Sequence, residues 1–150
     1  MNIKKFALFF CSGFGVGFFP YIPGTIASLA ILPVIWIIKS EISQVFFLIL
    51  ILSYFYISFI FLRIILVDKK NMDPNYVVCD EYLGQSIAVY FCNETILDYL
   101  IAFILFRILD IIKPFPIKYF DNMKNVTGVL ADDIIAGLIV AIIFYFYYAI

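Results

Sequence analysis

The longest apolar run in the chain begins at Gln44 and continues to Leu66 as QVFFLILILSYFYISFIFLRIIL, and its only charged residue is Arg63. As an α-helix this run extends about 34 Å, which is enough to cross the roughly 30 Å hydrocarbon core of a bilayer. The whole chain is 65% hydrophobic and only 14% charged, so it has too few polar residues to cover the surface of a water-soluble globule. The sequence therefore predicts an integral membrane protein.

Other apolar segments lie on both sides of this run. Ile96 to Ile112 and Ile134 to Ile150 are long enough for full spans, whereas Ile26 to Ile38 and Tyr82 to Cys92 reach only about 17 to 20 Å as helices. Phe6 to Phe19 contains three glycines, which weaken a helix, and we expect a short re-entrant or interfacial segment there. The expected fold is a single all-α membrane bundle of about three full and two short spans.

The distribution of charge predicts the orientation. If the five spans alternate in direction, one side of the membrane holds nine of the ten basic residues: Lys4, Lys5, Arg63, Lys69, Lys70, Arg107, Lys113, Lys118 and Lys124. The positive-inside rule makes that side cytoplasmic. The same side holds eight of the eleven acidic residues: Asp68, Asp73, Asp80, Glu81, Asp110, Asp121, Asp132 and Asp133. Hydrophilic loops that simply collect charges of both signs would give the same pattern, and composition alone favours that interpretation.

Several classes of function are excluded by composition. The chain has no histidine, so the usual general base and the commonest zinc ligand are missing. Its three cysteines have no paired spacing and predict neither a disulfide framework nor a zinc site. A net charge of -1 provides no basic surface for nucleic acid. Chemistry in this chain must depend on carboxylates, hydroxyls, lysine and arginine.

The acidic residues at the predicted cytoplasmic ends of the spans form a pattern. The groups are Asp80-Glu81, Asp132-Asp133, and Arg107 with Asp110 and Lys113 at a spacing that places them on one side of a helix. Each acid alone is more simply interpreted as the boundary of a span. Together they are harder to explain in that way, because like charges about 4 Å apart repel by roughly 4 kcal/mol at an effective dielectric of 20. Such a cluster implies a bound cation or protonation.

The donor set also indicates which cation would bind. Oxygen ligands select magnesium, manganese or calcium over zinc. Magnesium with arginine and lysine is the usual means of neutralising a phosphoryl group during its transfer.

Small residues follow two of the acids at four-residue spacing. The rows are Asp80, Gly84, Ala88 and Asp133, Gly137, Ala141. Rows of this kind let membrane helices approach closely. We therefore expect these two helices to pack with their acids adjacent.

Four motifs occur in a recognisable order. They are PYIPGT at 20–25, DEYLGQ at 80–85, FRILDIIKPFPI at 106–117 and DDIIAG at 132–137. In these motifs the chain resembles the bacterial phosphatidylglycerophosphatase A family, over about residues 11 to 143. The stretch Arg-x-x-Asp-x-x-Lys-Pro-x-Pro-Ile from Arg107 is the most specific. Phe19 stands where members often have serine, so a phosphate-binding role at that position does not carry over.

The resemblance implies a bacterial inner-membrane enzyme that hydrolyses phosphatidylglycerophosphate to phosphatidylglycerol and phosphate with Mg2+, its site facing the cytoplasm and its phospholipid substrate remaining in the bilayer. The catalytic residues it implies are Asp80, Glu81, Arg107, Asp110 and Asp133. The substrate-binding residues are Thr25, Arg107, Lys113 and Asp121. The metal ligands are Asp80, Glu81, Asp132 and Asp133.

Several roles stay open at this point. Asp110 is either a further metal ligand or the residue that orients Arg107, and Thr25 is either a phosphate ligand or an ordinary helix N-cap. The attacking group is either water activated by the metal, which we favour, or an aspartate that is transiently phosphorylated.

Two other functions also place charged residues in a small membrane protein. Transfer of an alcohol onto an activated lipid needs an Asp-Gly and an Ala-Arg pair, and the chain has neither. A small transporter or channel subunit would line an ion path with its charged residues. In this sequence the charges instead gather at one predicted face of the membrane.

Overall fold

The computed structural model describes residues 2–67 and 74–149, and this part of the chain contains helices and no strand. The helices are α1 (Ile3–Cys11), α2 (Pro23–Glu41), α3 (Gln44–Leu66), α4 (Cys79–Ala88), α5 (Ile96–Ile112), α6 (Ile117–Asp121) and α7 (Val126–Ala149), with a 3-10 turn at Val16–Phe18. The prediction of an all-α bundle is confirmed. Four charged residues used to predict the orientation lie outside the described residues: Asp68, Lys69, Lys70 and Asp73.

Among the described residues, three helices are long and apolar enough to cross a membrane, namely α2, α3 and α7. The predicted number of full spans, three, is therefore confirmed. One member of the set differs, because α2 takes the place of α5. The segment predicted as a short span from Ile26 to Ile38 is a 19-residue helix, because Pro23 starts the helix three residues earlier, as proline favours. Helix α5 has the predicted bounds, but its 17 residues extend only about 25 Å.

Helix α7 begins at Val126 and not at Ile134. The side chain of Asn125 accepts a hydrogen bond of 2.8 Å from the backbone N–H of Gly128, which is the geometry of an N-cap. The expectation that Asp132 and Asp133 lie at or just outside a helix end is therefore wrong. Both lie within the second turn of α7, where the helix fixes their direction.

The segment predicted as a span from Tyr82 to Cys92 is the ten-residue helix α4, which begins and ends earlier. After α4 ends, Lys39 of α2 donates hydrogen bonds to the carbonyls of Val89, at 3.1 Å, and Cys92. A lysine near a helix C-terminus satisfies carbonyls that have no partner within the helix. This contact allows a short helix to end inside an apolar bundle.

Helix α1 has nine residues and is too short to cross a bilayer. After it, Gly13, Phe14 and Gly15 have positive φ values of 58°, 59° and 101°, which glycine adopts readily and phenylalanine rarely does. The ring of Phe10 packs against Tyr54 and Phe61 of α3. Helix α1 therefore packs against α3, and a glycine-rich turn follows it; the re-entrant or interfacial position of this segment stays a prediction.

Helices α4 and α7 cross at their small residues. A Cβ added to Gly84 would lie 2.7 Å from the carbonyl oxygen of Asp133, and one added to Gly137 would overlap the carbonyl oxygen of Gly84. Only glycine permits an approach this close. The expectation drawn from the two rows of small residues is confirmed, and the first turn of α4 lies beside the second turn of α7.

Candidate active site

The two acids in the first turn of α4 and the two in the second turn of α7 come together with Asp110 near the end of α5. Their carboxylates form two groups of three, in each of which one oxygen per residue lies within 4.8 Å of the others. The first group, called here triad A, is Asp80, Glu81 and Asp133; the second, triad B, is Asp110, Asp132 and Asp133. Asp133 belongs to both triads. Three helices that are distant in sequence thus deliver their acids to one place.

Two basic side chains hold this cluster. Arg107 pairs with Asp110 at 2.9 Å, and each side chain is only 13% exposed. Lys113 pairs with Asp132 at 2.8 Å and also with Asp121 on α6. The cation, anion and cation expected along the end of α5 therefore do project to one site. Asp110 both pairs with Arg107 and belongs to triad B, so the structure gives it the geometry of both predicted roles.

Lys113 reaches its partners because the chain reverses at this residue. It is the C-cap of α5, in the left-handed conformation with φ 48° and ψ 58°, which a residue other than glycine seldom adopts except under local constraint. Partial burial alone would lower the pKa of Lys113, but its hydrogen bonds to Asp121 and Asp132 outweigh this effect and raise the pKa above the ordinary 10.5. The Lys113 ammonium is therefore firmly protonated.

The start of α2 forms another wall of the site. Ile22 precedes it with φ 43°, a strained value for a β-branched residue. A Cβ added to Gly24 would overlap Oε1 of Glu81 and lie 3.3 Å from a terminal nitrogen of Arg107. The glycine of the Pro-Gly-Thr motif thus lets an acid of α4 and a cation of α5 pack directly against the backbone of α2.

Two predicted residues lie at the margin of the cluster. Thr25 is half-buried in the first turn of α2, and its interpretation as an N-cap is wrong, because the N-cap of this helix is Ile22. The side chain of Asp121 is 36% exposed and meets the site through Lys113. A substrate-binding role for these two residues stays a prediction.

Ser28 belongs to the site and was missed by the sequence analysis. Its hydroxyl is fully buried, donates a hydrogen bond of 2.9 Å to the carbonyl of Gly24 and accepts one of 3.4 Å from Arg107. The sequence feature that could have identified it is a serine one turn after Gly24, in a mainly apolar stretch. Serine in that setting commonly bonds the carbonyl four residues earlier, so the signal did not distinguish it from an ordinary packing residue.

Several polar atoms in the cluster are buried and make no hydrogen bond. They are Oε2 of Glu81, Oδ1 of Asp132, Oδ1 of Asp133 and Nε of Arg107. A buried polar atom without a partner costs about 1 to 3 kcal/mol, and more when the group is charged. Natural structures seldom tolerate such atoms unless a ligand, ion or water satisfies them. The cluster therefore has the character of a binding site.

Helices long and apolar enough to span a membrane, with buried carboxylates, an arginine and a lysine gathered at one end, define a helical membrane protein with a candidate active site. The chain matches the profile of the phosphatidylglycerophosphatase A family over residues 9–148, and it belongs to that family. The family resemblance and the prediction of a phosphatase are thus confirmed.

Three relatives support this assignment. A phosphatidylglycerophosphatase A of Escherichia coli strain K12 is 34% identical over 136 residues, covering 89% of this chain and 78% of the relative. A phosphatidylglycerophosphatase A of Haemophilus influenzae is 33% identical over 133 residues, covering 87% of this chain and 82% of the relative. A protein of Bacteroides thetaiotaomicron, named provisionally as a phosphatidylinositol-3-phosphatase, is 35% identical over 134 residues. The match covers 85% of this chain and 84% of the relative. No solved structure matches the chain significantly.

Proposed function

We propose that the protein hydrolyses the phosphate monoester of phosphatidylglycerophosphate, with magnesium, to give phosphatidylglycerol and phosphate. The observation that carries this proposal is the pairing of Arg107 and Lys113 with carboxylates at one end of a membrane bundle. Two relatives are named for this activity. A lipid head group can enter between the helix ends while its acyl chains remain in the bilayer.

The basic residues would bind the phosphate. The guanidinium of Arg107 presents several N–H donors in a plane, which suits the oxygens of a phosphate. Asp110 and Ser28 both contact its NH1 nitrogen and thereby fix its orientation. Lys113 adds a second, permanently charged donor. Because the chain has no histidine, the proton for the glycerol leaving oxygen would come from a carboxylic acid of the cluster or from water.

The acids fit magnesium. Their oxygens are the hard ligands that this ion prefers, and Glu81, Asp132 and Asp133 each have one buried oxygen without a hydrogen-bond partner. Asp80, Glu81, Asp132 and Asp133 would hold the ion, with Asp110 as a further ligand. When bound, magnesium would neutralise the charge of the phosphoryl oxygens.

The proposed location is the bacterial inner membrane, with the site facing the cytoplasm. Helix α1 lies at the same end of the bundle as the site, because Tyr82, in the first turn of α4, donates a hydrogen bond to the carbonyl of Gly13. Arg107 and Lys113 belong to the site itself, whereas Lys39 lies near the far end of α2, whose start forms a wall of the site. The positive-inside rule supports a cytoplasmic site.

The test is release of inorganic phosphate by purified protein in detergent micelles. Phosphatidylglycerophosphate, phosphatidic acid and phosphatidylinositol 3-phosphate are compared, each with magnesium and with a chelator. We expect magnesium-dependent release that favours the first lipid. Arg107→Ala and Asp133→Ala should abolish it, whereas Glu94→Gln, at the exposed opposite end, should not. The proposal would be contradicted if folded wild-type protein released phosphate equally well with the chelator present, or released it faster from another lipid.

A further inference from the structure

We infer that the site binds two divalent cations, one in each triad, and that the carboxylate of Asp133 bridges them. This inference rests on the proposed function for the identity of the ions as catalytic metals. It adds their number, their positions and the residue that joins them.

The geometry gives two sets of ligands that share one residue. Triad A combines the start of α4 with Asp133, and triad B combines the end of α5 with Asp132 and Asp133. The three residues of each triad can bring one oxygen apiece within 4.8 Å of the others, a spacing that one cation can draw together. Because Asp133 has two oxygens and belongs to both triads, ions in the two positions would be neighbours. Ions in two-metal sites are typically about 3.5 to 4 Å apart.

The unpartnered oxygens are distributed over both triads. Glu81 supplies one in triad A through Oε2, Asp132 supplies one in triad B through Oδ1, and Asp133 contributes Oδ1 to the shared position. Asp132 and Asp133 are only 7% and 3% exposed. The other oxygen of Asp132 already accepts from Lys113, so its Oδ1 is left for a different partner. A single ion in one triad would leave the oxygens of the other triad unsatisfied.

The charge of the cluster also favours two ions. Arg107 pairs with Asp110, and Lys113 pairs with both Asp132 and Asp121, so the acids around these two cations outnumber them. Charges buried without compensation are strongly unfavourable. Each bound divalent cation adds two positive charges, and two ions therefore offset more of the buried negative charge than one ion does before a phosphate dianion arrives.

The test is to count manganese ions on the purified full-length protein in detergent, without substrate. Equilibrium dialysis gives the number of Mn2+ bound per chain, and electron paramagnetic resonance shows whether two ions are close enough to couple. We expect two ions per chain and a spin-coupled spectrum. One ion per chain, or two ions without coupling, would overturn the inference from the wild-type protein alone.

Variants then assign the ions to the triads. Glu81→Gln should remove the ion of triad A and Asp110→Asn that of triad B, each leaving one uncoupled ion, and Asp133→Asn should abolish the coupling. Glu94→Gln makes the same chemical change outside the cluster and should retain both ions. A coupled pair that persists in Asp110→Asn would disprove the assignment. Phosphate release is measured separately, so that the two proposals can fail independently. Wild-type protein that is active but binds one ion would refute this inference alone. Wild-type protein that binds two ions but is inactive would refute the proposed function alone.

Discussion

Gly24 on α2 leaves no room for a methyl group between its backbone and the carboxylate of Glu81 on α4, since a Cβ there would overlap Oε1 of that side chain. The two residues are far apart in sequence and meet at the wall of the site. Because Glu81 is a flexible side chain, a larger residue at position 24 would displace its carboxylate without forcing the helices apart.

Gly24→Ala should therefore reduce phosphate release at least tenfold while leaving the melting temperature unchanged or slightly higher. Alanine is favoured over glycine within a helix by about 1 kcal/mol, so the backbone should not suffer. Rates from micelle assays and melting curves in the same detergent provide the measurement. Full activity in Gly24→Ala would show that Glu81 is not held in a functional position by this contact.

Ser28 acts through Arg107, because its buried hydroxyl accepts a hydrogen bond from that guanidinium, so we treat it as a positioning residue. Ser28→Ala removes an acceptor worth about 1 kcal/mol, and we expect kcat to fall about fivefold to tenfold, with little change in the melting temperature. Ser53→Ala is the matched control, because Ser53 also donates to the carbonyl four residues earlier but faces outward. Equal effects of the two substitutions would indicate a general role in helix stability.

Lys113 is expected to bind phosphate through its charge. Lys113→Met removes a charge-assisted hydrogen bond worth about 1.5 to 3 kcal/mol, which corresponds to a loss of roughly 10- to 100-fold in kcat/KM. Lys118→Met, at an exposed residue of α6, is the control and should have little effect. If both variants lose activity equally, the effect comes from general attraction of an anionic lipid and not from a contact at the site.

The crossing of α4 and α7 makes a prediction about stability. Gly137→Ala places a Cβ against the backbone carbonyl of Gly84, which cannot rotate away, so the two helices must separate and triad A must open. We expect a lower melting temperature together with a loss of Mn2+ binding. Leu138→Ala alters the neighbouring residue, which is 42% exposed, and should retain both ions. A stable Gly137→Ala protein with two ions would contradict the close crossing.

The sequence alone determined the class of protein, most of the helices and which acidic residues form the cluster. Hydropathy and composition are local properties, so the runs Gln44–Leu66 and Ile96–Ile112 were predicted with their observed bounds. The rows of small residues after Asp80 and Asp133 predicted which helices meet. The start of α7 was missed because an apolar run does not reveal that Asn125 caps a helix beginning at Val126, eight residues before Ile134.

Tertiary structure decided how the functional residues are combined. The sequence identified every acid of the cluster, but not that Asp133 is shared between two triads, that Asp110 serves both Arg107 and triad B, or that Ser28 supports Arg107. These relationships depend on the distance and rotation between helices, which are set by contacts such as those of Gly24, Gly84 and Gly137. Spacing along a helix fixes which residues share a face, but only packing between helices brings two faces within the few ångströms at which charges and ligands act.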